Sequence, residues 1–300
     1  MKTLSTNHVI YSFSHLNEPV MKVQPGDTVA IETYDCFQNQ LQSAEQEVAA
    51  IDWNEINPAT GPIFIEGAAV GDLLKVTIDE LEIGSQGVMV TGPDLGVMGH
   101  RFEKMESKII PIKDGKAIFN DQLHIPLNPM IGVIGVAPDG PPISCGTPGA
   151  HGGNMDTKLI TKGATLYFPV FTEGALFALG DFHAAMGDGE VSVSGIEVPG
   201  RATVTFDVIK GLHSKYPILQ NSDGLALLVS AMTLDEAVKI AVEEMIDLLL
   251  PHTDLSVSDM TMLMSAAGQT QISQVVDPLV TVRFFVPHYV LESLNIKLFA

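Results

Sequence analysis

Pro25-Gly-Asp-Thr-Val-Ala-Ile-Glu32 and Val70-Gly-Asp-Leu-Leu-Lys-Val-Thr-Ile78 share one pattern, a Gly-Asp turn followed by alternating or β-branched residues. The glycine gives the backbone freedom of a tight turn, and the residues after it suit a pleated, half-buried strand. The pattern returns at Lys162-Gly-Ala-Thr-Leu-Tyr-Phe168, and Glu190-Val-Ser-Val-Ser194 and Ala202-Thr-Val-Thr-Phe-Asp-Val-Ile209 read as further strands. The echoes are too short for a true repeat, but they make the first 210 residues predominantly β.

Beyond them the period changes. Leu234, Ala237, Val238, Ala241, Val242, Met245, Leu248 and Leu249 recur at helical spacing, and Thr233-x-x-Glu236 supplies a capping box ahead of them. Ser256-x-x-Asp259 opens a second helix with an apolar Val257, Met260, Leu263, Met264 face, stopped by Gly268. Val280 to Val286 reads as a returning strand, and Pro287 opens a short terminal helix ending near Leu294. The fold predicted is mainly β, a β-sandwich-like core carrying a C-terminal helical hairpin. No linker marks a boundary, so residues 1–300 form one domain, with the Gly-rich stretch Gly132 to Gly153 as the place where two β subdomains would meet.

Composition excludes several classes of function. With 36 Asp plus Glu against 16 Lys plus Arg, the net charge of −20 repels phosphate backbones, and no basic cluster reverses it. Nucleic acid is therefore not a partner. The N-terminal residues lack the apolar core of a secretory signal, and the longest uncharged runs, such as Gln122 to Pro138, are broken by Pro, Asn and Gly and are too short to span a bilayer, so no membrane association is expected. Two cysteines, Cys36 and Cys145, far apart and without metal-finger spacing, point to a reducing, cytoplasmic setting.

Polar groups set among glycines are densest in Pro148-Gly-Ala-His-Gly-Gly-Asn-Met-Asp156 and Gly180-Asp-Phe-His-Ala-Ala-Met-Gly-Asp-Gly-Glu190. Small neighbours let backbone approach a ligand closely. If the strand from Leu176 runs on through His183, Asp181 and His183 project from one face and suit two ligands of one metal. A third ligand would come from Asp156 or His151, while Glu190, outside the coordination, could shuttle a proton. The plain alternatives are an Asp orienting a structural His, and a hairpin turn at Asp188-Gly189. Asp35 and Glu66 are carboxylates amid apolar neighbours, each needing a partner: a metal, an arginine or capped backbone amides. Cys145 lies six residues before His151, but no Glu or Lys stands nearby to complete a thiol site, and no Gly-x-Ser-x-Gly elbow is present.

Seven stretches together resemble the acetamidase/formamidase family: Tyr34-Asp-Cys-Phe37, Asn57 to Ala68, Gly71-Asp-Leu-Leu74, Asn128 to Gly135, Gly149-Ala-His-Gly-Gly-Asn-Met-Asp156, Gly180-Asp-Phe-His183 with Gly187-Asp-Gly-Glu190, and Ile272 to Asp277. They run in family order along nearly the whole chain. The resemblance implies metal-assisted hydrolysis of short neutral amides, formamide and acetamide, to carboxylate and ammonia, by a homo-oligomer. It implies a divalent cofactor, zinc or else calcium, with Asp156, Asp181 and His183 around it. Glu190 is then the general base, with Asp35 and His151 as further catalytic candidates and Asn154 and Glu66 against the substrate. Met186 stands where the family motif leads one to expect a polar residue. Two rivals remain: a calcium-stabilised β-sandwich binding module with oxygen-only coordination, and a hydrolase of another C–N bond such as a cyclic amide.

Overall fold

The computed structural model describes residues 1–299. Strands hold 39% of the chain and helices 15%, so the mainly β expectation holds. Among the described residues two large sheets account for nearly all strands. The first runs in the order Lys2–Leu4, Thr28–Thr33, Gly200–Ile209, Leu73–Ile83, Thr165–Pro169, Ile218–Gln220, Gly224–Ala231, Val280–Pro287, Gln269–Gln274. The second runs through Glu106–Lys113, Gln86–Thr91, Glu197–Val198, Phe177–His183, Met130–Gly135 and Gly152–Asn154, with Ala59–Ile65 also paired to Phe177–His183.

One apolar cluster draws on both sheets. Val76, Ile78, Leu166, Phe168, Val204 and Phe206 of the first are buried with Ile131, Ile134, Phe177, Leu179, Phe182 and Val198 of the second. The other face of the first sheet is covered by helices α1 (Leu234–Leu249), α2 (Val257–Ala267) and α3 (His288–Ser293). Strand Gly224–Ala231 shows why its sequence is almost wholly apolar: Ala226 and Leu228 enter the inter-sheet core, while Leu225, Leu227 and Val229 meet Ala237, Ala241 and Met245 of α1. The helix ends follow the capping signals. Thr233 accepts the backbone N–H of Glu236, Ser256 accepts that of Asp259, and Gly268 follows the last turn of α2.

One local expectation is corrected. Residues 190–194 form a loop rather than a strand. Glu190 and Val193 take positive φ, and the Ser194 hydroxyl accepts the Val90 N–H and donates to the Val90 carbonyl, replacing ladder bonds with side-chain ones. The Gly-rich stretch from Gly132 to Gly153 begins and ends inside one sheet, since Ile134 pairs with Gly153 and Gly135 with Gly152. Among the described residues no helix is long and apolar enough to cross a membrane.

Candidate active site

Strand Phe177–His183 lies between Met130–Gly135 and Glu197–Val198, and its last residues carry the chemistry. The alternation expected to bring Asp181 and His183 to one face is broken. Asp181 has a φ of 56°, and both Leu179 and Phe182, three apart, reach the same core. Convergence comes from that kink: Asp181 Oδ1 ends 3.5 Å from His183 Nε2. Gly132, beside it on the neighbouring strand, makes the room, because a Cβ there would fall on Asp156 Oδ1 and come within 2.6 Å of Asp181 Oδ2.

His183 is the hub. Its Nε2 lies 3.2 Å from Glu197 Oε2, 3.6 Å from Asp156 Oδ1 and 3.9 Å from Glu190 Oε1. Asp156 and Glu190 share the left-handed backbone conformation of Asp181, with φ of 37° and 47°. Three of the four acids around the ring are thus held in a conformation that ordinary residues avoid, a cost that the surrounding fold must offset. Asp277 joins from the C-terminal segment, where its Oδ2 accepts from Asn154 Nδ2 at 3.1 Å. That segment is fastened over the site by Gly189 N–H donating to the Ser273 carbonyl and Val275 N–H donating to the Gly189 carbonyl.

Carboxyl groups so placed cannot all be charged without compensation. Burial, then the Asp156 charge, holds Glu190 well above the usual carboxylate range; burial raises Asp156 to about 6 and Glu197 to about 8. Burial disfavours a charged His183, but the Glu197 and Asp181 carboxylates outweigh it and keep the ring a strong base. Both oxygens of Asp156, Asp181 Oδ1, Glu190 Oε2, Glu197 Oε2 and Asn154 Oδ1 are buried without hydrogen-bond partners. Such orphans are rare unless something else satisfies them. Asp156, His183 and Glu190 present ligand atoms mutually within 4.8 Å, as do Cys36, Asp181 and Glu197. One imidazole among carboxylates is a donor set suited to a divalent ion such as zinc, so the residues present fit the metal that the resemblance implies.

Asp181, Glu190, Glu197, Asn154 and Asp277 line a cleft of about 370 Å³ whose other walls include Phe37, Trp53, Ile56, Leu95 and Val276. The remaining sequence candidates lie elsewhere. Asp35 is buried, and its Oδ1 accepts the backbone N–H groups of Phe37 and Asn39 at 3.0 and 2.7 Å, locking the turn that carries Cys36 and Phe37. His151 is buried edge-on to Phe13, with ring centroids 5.2 Å apart, outside the cleft lining. Glu66 is exposed on a turn, accepting from Gln24, and does not meet the other candidates. Cys145 is buried, donates to the Ile10 carbonyl and has its thiol pushed up by desolvation, a poor nucleophile. Sequence reading missed Glu197 and passed over Asp277 as a site residue. Glu197 stands opposite His183 only through strand register, which no local motif announces.

The fold and site define a β-rich protein with a buried acid–imidazole centre at the floor of a cleft. The acetamidase/formamidase family profile matches residues 13–141 and 145–293, and the chain belongs to that family. A crystal structure of a recombinant predicted acetamidase/formamidase from Thermoanaerobacter tengcongensis superposes with a TM-score of 0.97 at 54% identity, covering 99% of this chain and 98% of that one. The crystal structure of an acetamidase from Bacillus halodurans gives a TM-score of 0.96 at 44% identity, over 98% of this chain and 100% of that one. A formamidase of Methylophilus methylotrophus is 26% identical over 263 residues, 66% of this chain, which spans 63% of that relative's length.

Proposed function

We propose that the chain hydrolyses the carbon–nitrogen bond of short aliphatic amides, formamide and acetamide among them, to carboxylate and ammonia with the help of a divalent metal ion. The observation that carries this reading is the ring of buried, unpartnered carboxylate oxygens around His183 at the floor of a cleft. Asp156, Asp181 and His183 would hold the ion, which when bound supplies a Lewis acid for the amide carbonyl and acidifies water.

The chain's own groups do the rest. Asn154 Oδ1, unpartnered while Nδ2 is engaged by Asp277, accepts an N–H of the substrate amide and fixes its orientation. Glu190, beside His183 and on the cleft lining, takes a proton from the attacking water once its carboxyl is ionised. As the C–N bond breaks it returns that proton to the departing nitrogen, which leaves as ammonia. Asp156, Asp181, Glu190 and Glu197 are almost fully buried, so these groups act in a medium of low dielectric. His183 at the centre disfavours the oxygen-only calcium module. The reading places the reaction in the cytoplasm, in keeping with two free buried cysteines, and in a homo-oligomer, to be checked by light scattering.

The test is ammonia release from formamide, acetamide and propionamide before and after chelation. Activity should fall at least about 100-fold and return with zinc. Release indifferent to chelator sinks the metal role, and release lost only on thiol alkylation transfers the reaction to a cysteine. No release from any of the three amides sinks the amidase reading.

A further inference from the structure

Acetamide has four heavy atoms and fills on the order of 100 Å³ if each takes about a water's share of liquid volume. The cleft holds about 370 Å³, so well over half of it has no role with the smallest amides. The unused part has its own chemistry. Asp181, Glu190, Glu197 and Asn154 are buried and Asp277 is half-buried, whereas Phe37, Trp53, Ile56, Leu95 and Val276 make up much of the remaining lining, with Asn57, Ser144 and Thr147 as its uncharged polar part. Among the described residues no lysine or arginine lines the cleft, so no cationic side chain there would pair with a second, anionic group on a substrate. A few convergent polar groups beneath an apolar and aromatic wall is the usual build of a site for a ligand with one polar end.

We propose that the preferred substrates are primary amides whose acyl group carries a medium alkyl chain or a single aromatic ring, the amide on the floor and the chain against Trp53, Ile56 and Leu95. The inference rests on the amidase reading. Each methylene buried against that wall is worth at most about fourfold in affinity for the transition state.

The experiment compares kcat/KM for acetamide, butyramide, hexanamide and phenylacetamide on the metal-loaded protein. In parallel it follows the fluorescence of Trp53, the one tryptophan of the chain, 43% exposed at the rim of the cleft. The expected result is at least about a tenfold rise in kcat/KM from acetamide to hexanamide, with saturable shifts in Trp53 emission for hexanamide and phenylacetamide. Leu95→Phe, which narrows the upper cleft, should lower the hexanamide-to-acetamide ratio of kcat/KM at least about fivefold. Turnover of acetamide with a steady fall along the series overturns the proposal and leaves the amidase reading standing. If no amide is turned over, that reading fails and Trp53 decides: saturable binding of hexanamide supports the apolar acyl site, and an unchanged emission overturns it.

Discussion

His183 and Glu197 face each other across two antiparallel strands, paired in register, and Nε2 of the one lies 3.2 Å from Oε2 of the other. The contact is fully buried, so the carboxylate orients the ring and raises its affinity for a proton. Glu197→Gln keeps the shape and removes the charge. The His183 pKa should fall in the metal-free protein, followed by NMR of the ring protons, and kcat/KM for acetamide should drop about 10- to 100-fold. An unchanged His183 titration would show that Glu197 does not govern the ring.

Gly132 is required by space rather than by backbone conformation. A Cβ at this position meets carboxylate oxygens of both Asp156 and Asp181, which the fold cannot withdraw without undoing the site. Gly132→Ala should cost about 1–3 kcal/mol in urea unfolding and lower the affinity for the activating metal more than it lowers Tm would imply. If the variant binds metal as the parent does, the two carboxylates have more freedom than their positions indicate.

His151 offers a pH test away from the candidate ligands. Burial lowers its pKa to about 4, below the ordinary value of 6.5. A ring whose folded pKa is depressed stabilises the fold above its unfolded pKa, and that contribution is lost as pH falls from about 6.5 to about 4. Over this window it amounts to about 3 kcal/mol. His151→Gln should therefore show a flatter decline of unfolding free energy between those limits than the parent. Parallel curves for the two proteins would mean that His151 is already protonated when folded, or exposed.

How far the sequence could be read depends on the range of the interaction. The capping boxes at Thr233 and Ser256 are local, and the helices begin where those residues say. The Gly-rich polar stretches were legible as a site because small residues around Asp156, Asp181, His183 and Glu190 were contiguous in sequence. Glu197 and Asp277 were not, since one enters by strand register and the other by a C-terminal segment tied to Gly189. Glu66 misled through its apolar neighbours Ile63 and Ile65, which face the core while the following turn carries Glu66 out to solvent. The loop at 190–194 read as a strand because alternating Val and Ser mimic the period of two, whereas Gly189 and the positive φ of Glu190 and Val193 decide otherwise.

The last prediction concerns Arg283, which is 2% exposed and lies outside the cleft. Its Nη2 donates to both carboxylate oxygens of Asp188 at 2.9 Å, while Nε donates to Gln271 and Nη1 to the Ile272 carbonyl and the Ser273 hydroxyl. One side chain thus clamps strand Gln269–Gln274 to the turn that presents Glu190. Lysine keeps the charge but loses the planar fork, so it cannot hold both partners at once. Arg283→Lys should destabilise the fold by about 1–3 kcal/mol, because Asp188 is partly exposed and water can replace some of what is lost. Activity should fall further than stability predicts, at least about tenfold at a temperature where the variant is fully folded, since the Glu190 turn loses its anchor. Equal activity per folded molecule, measured alongside a thermal melt, would mean that the Gly189 backbone bonds to Ser273 and Val275, with the Lys158–Asp188 ion pair at 2.8 Å, suffice to hold Glu190 in place.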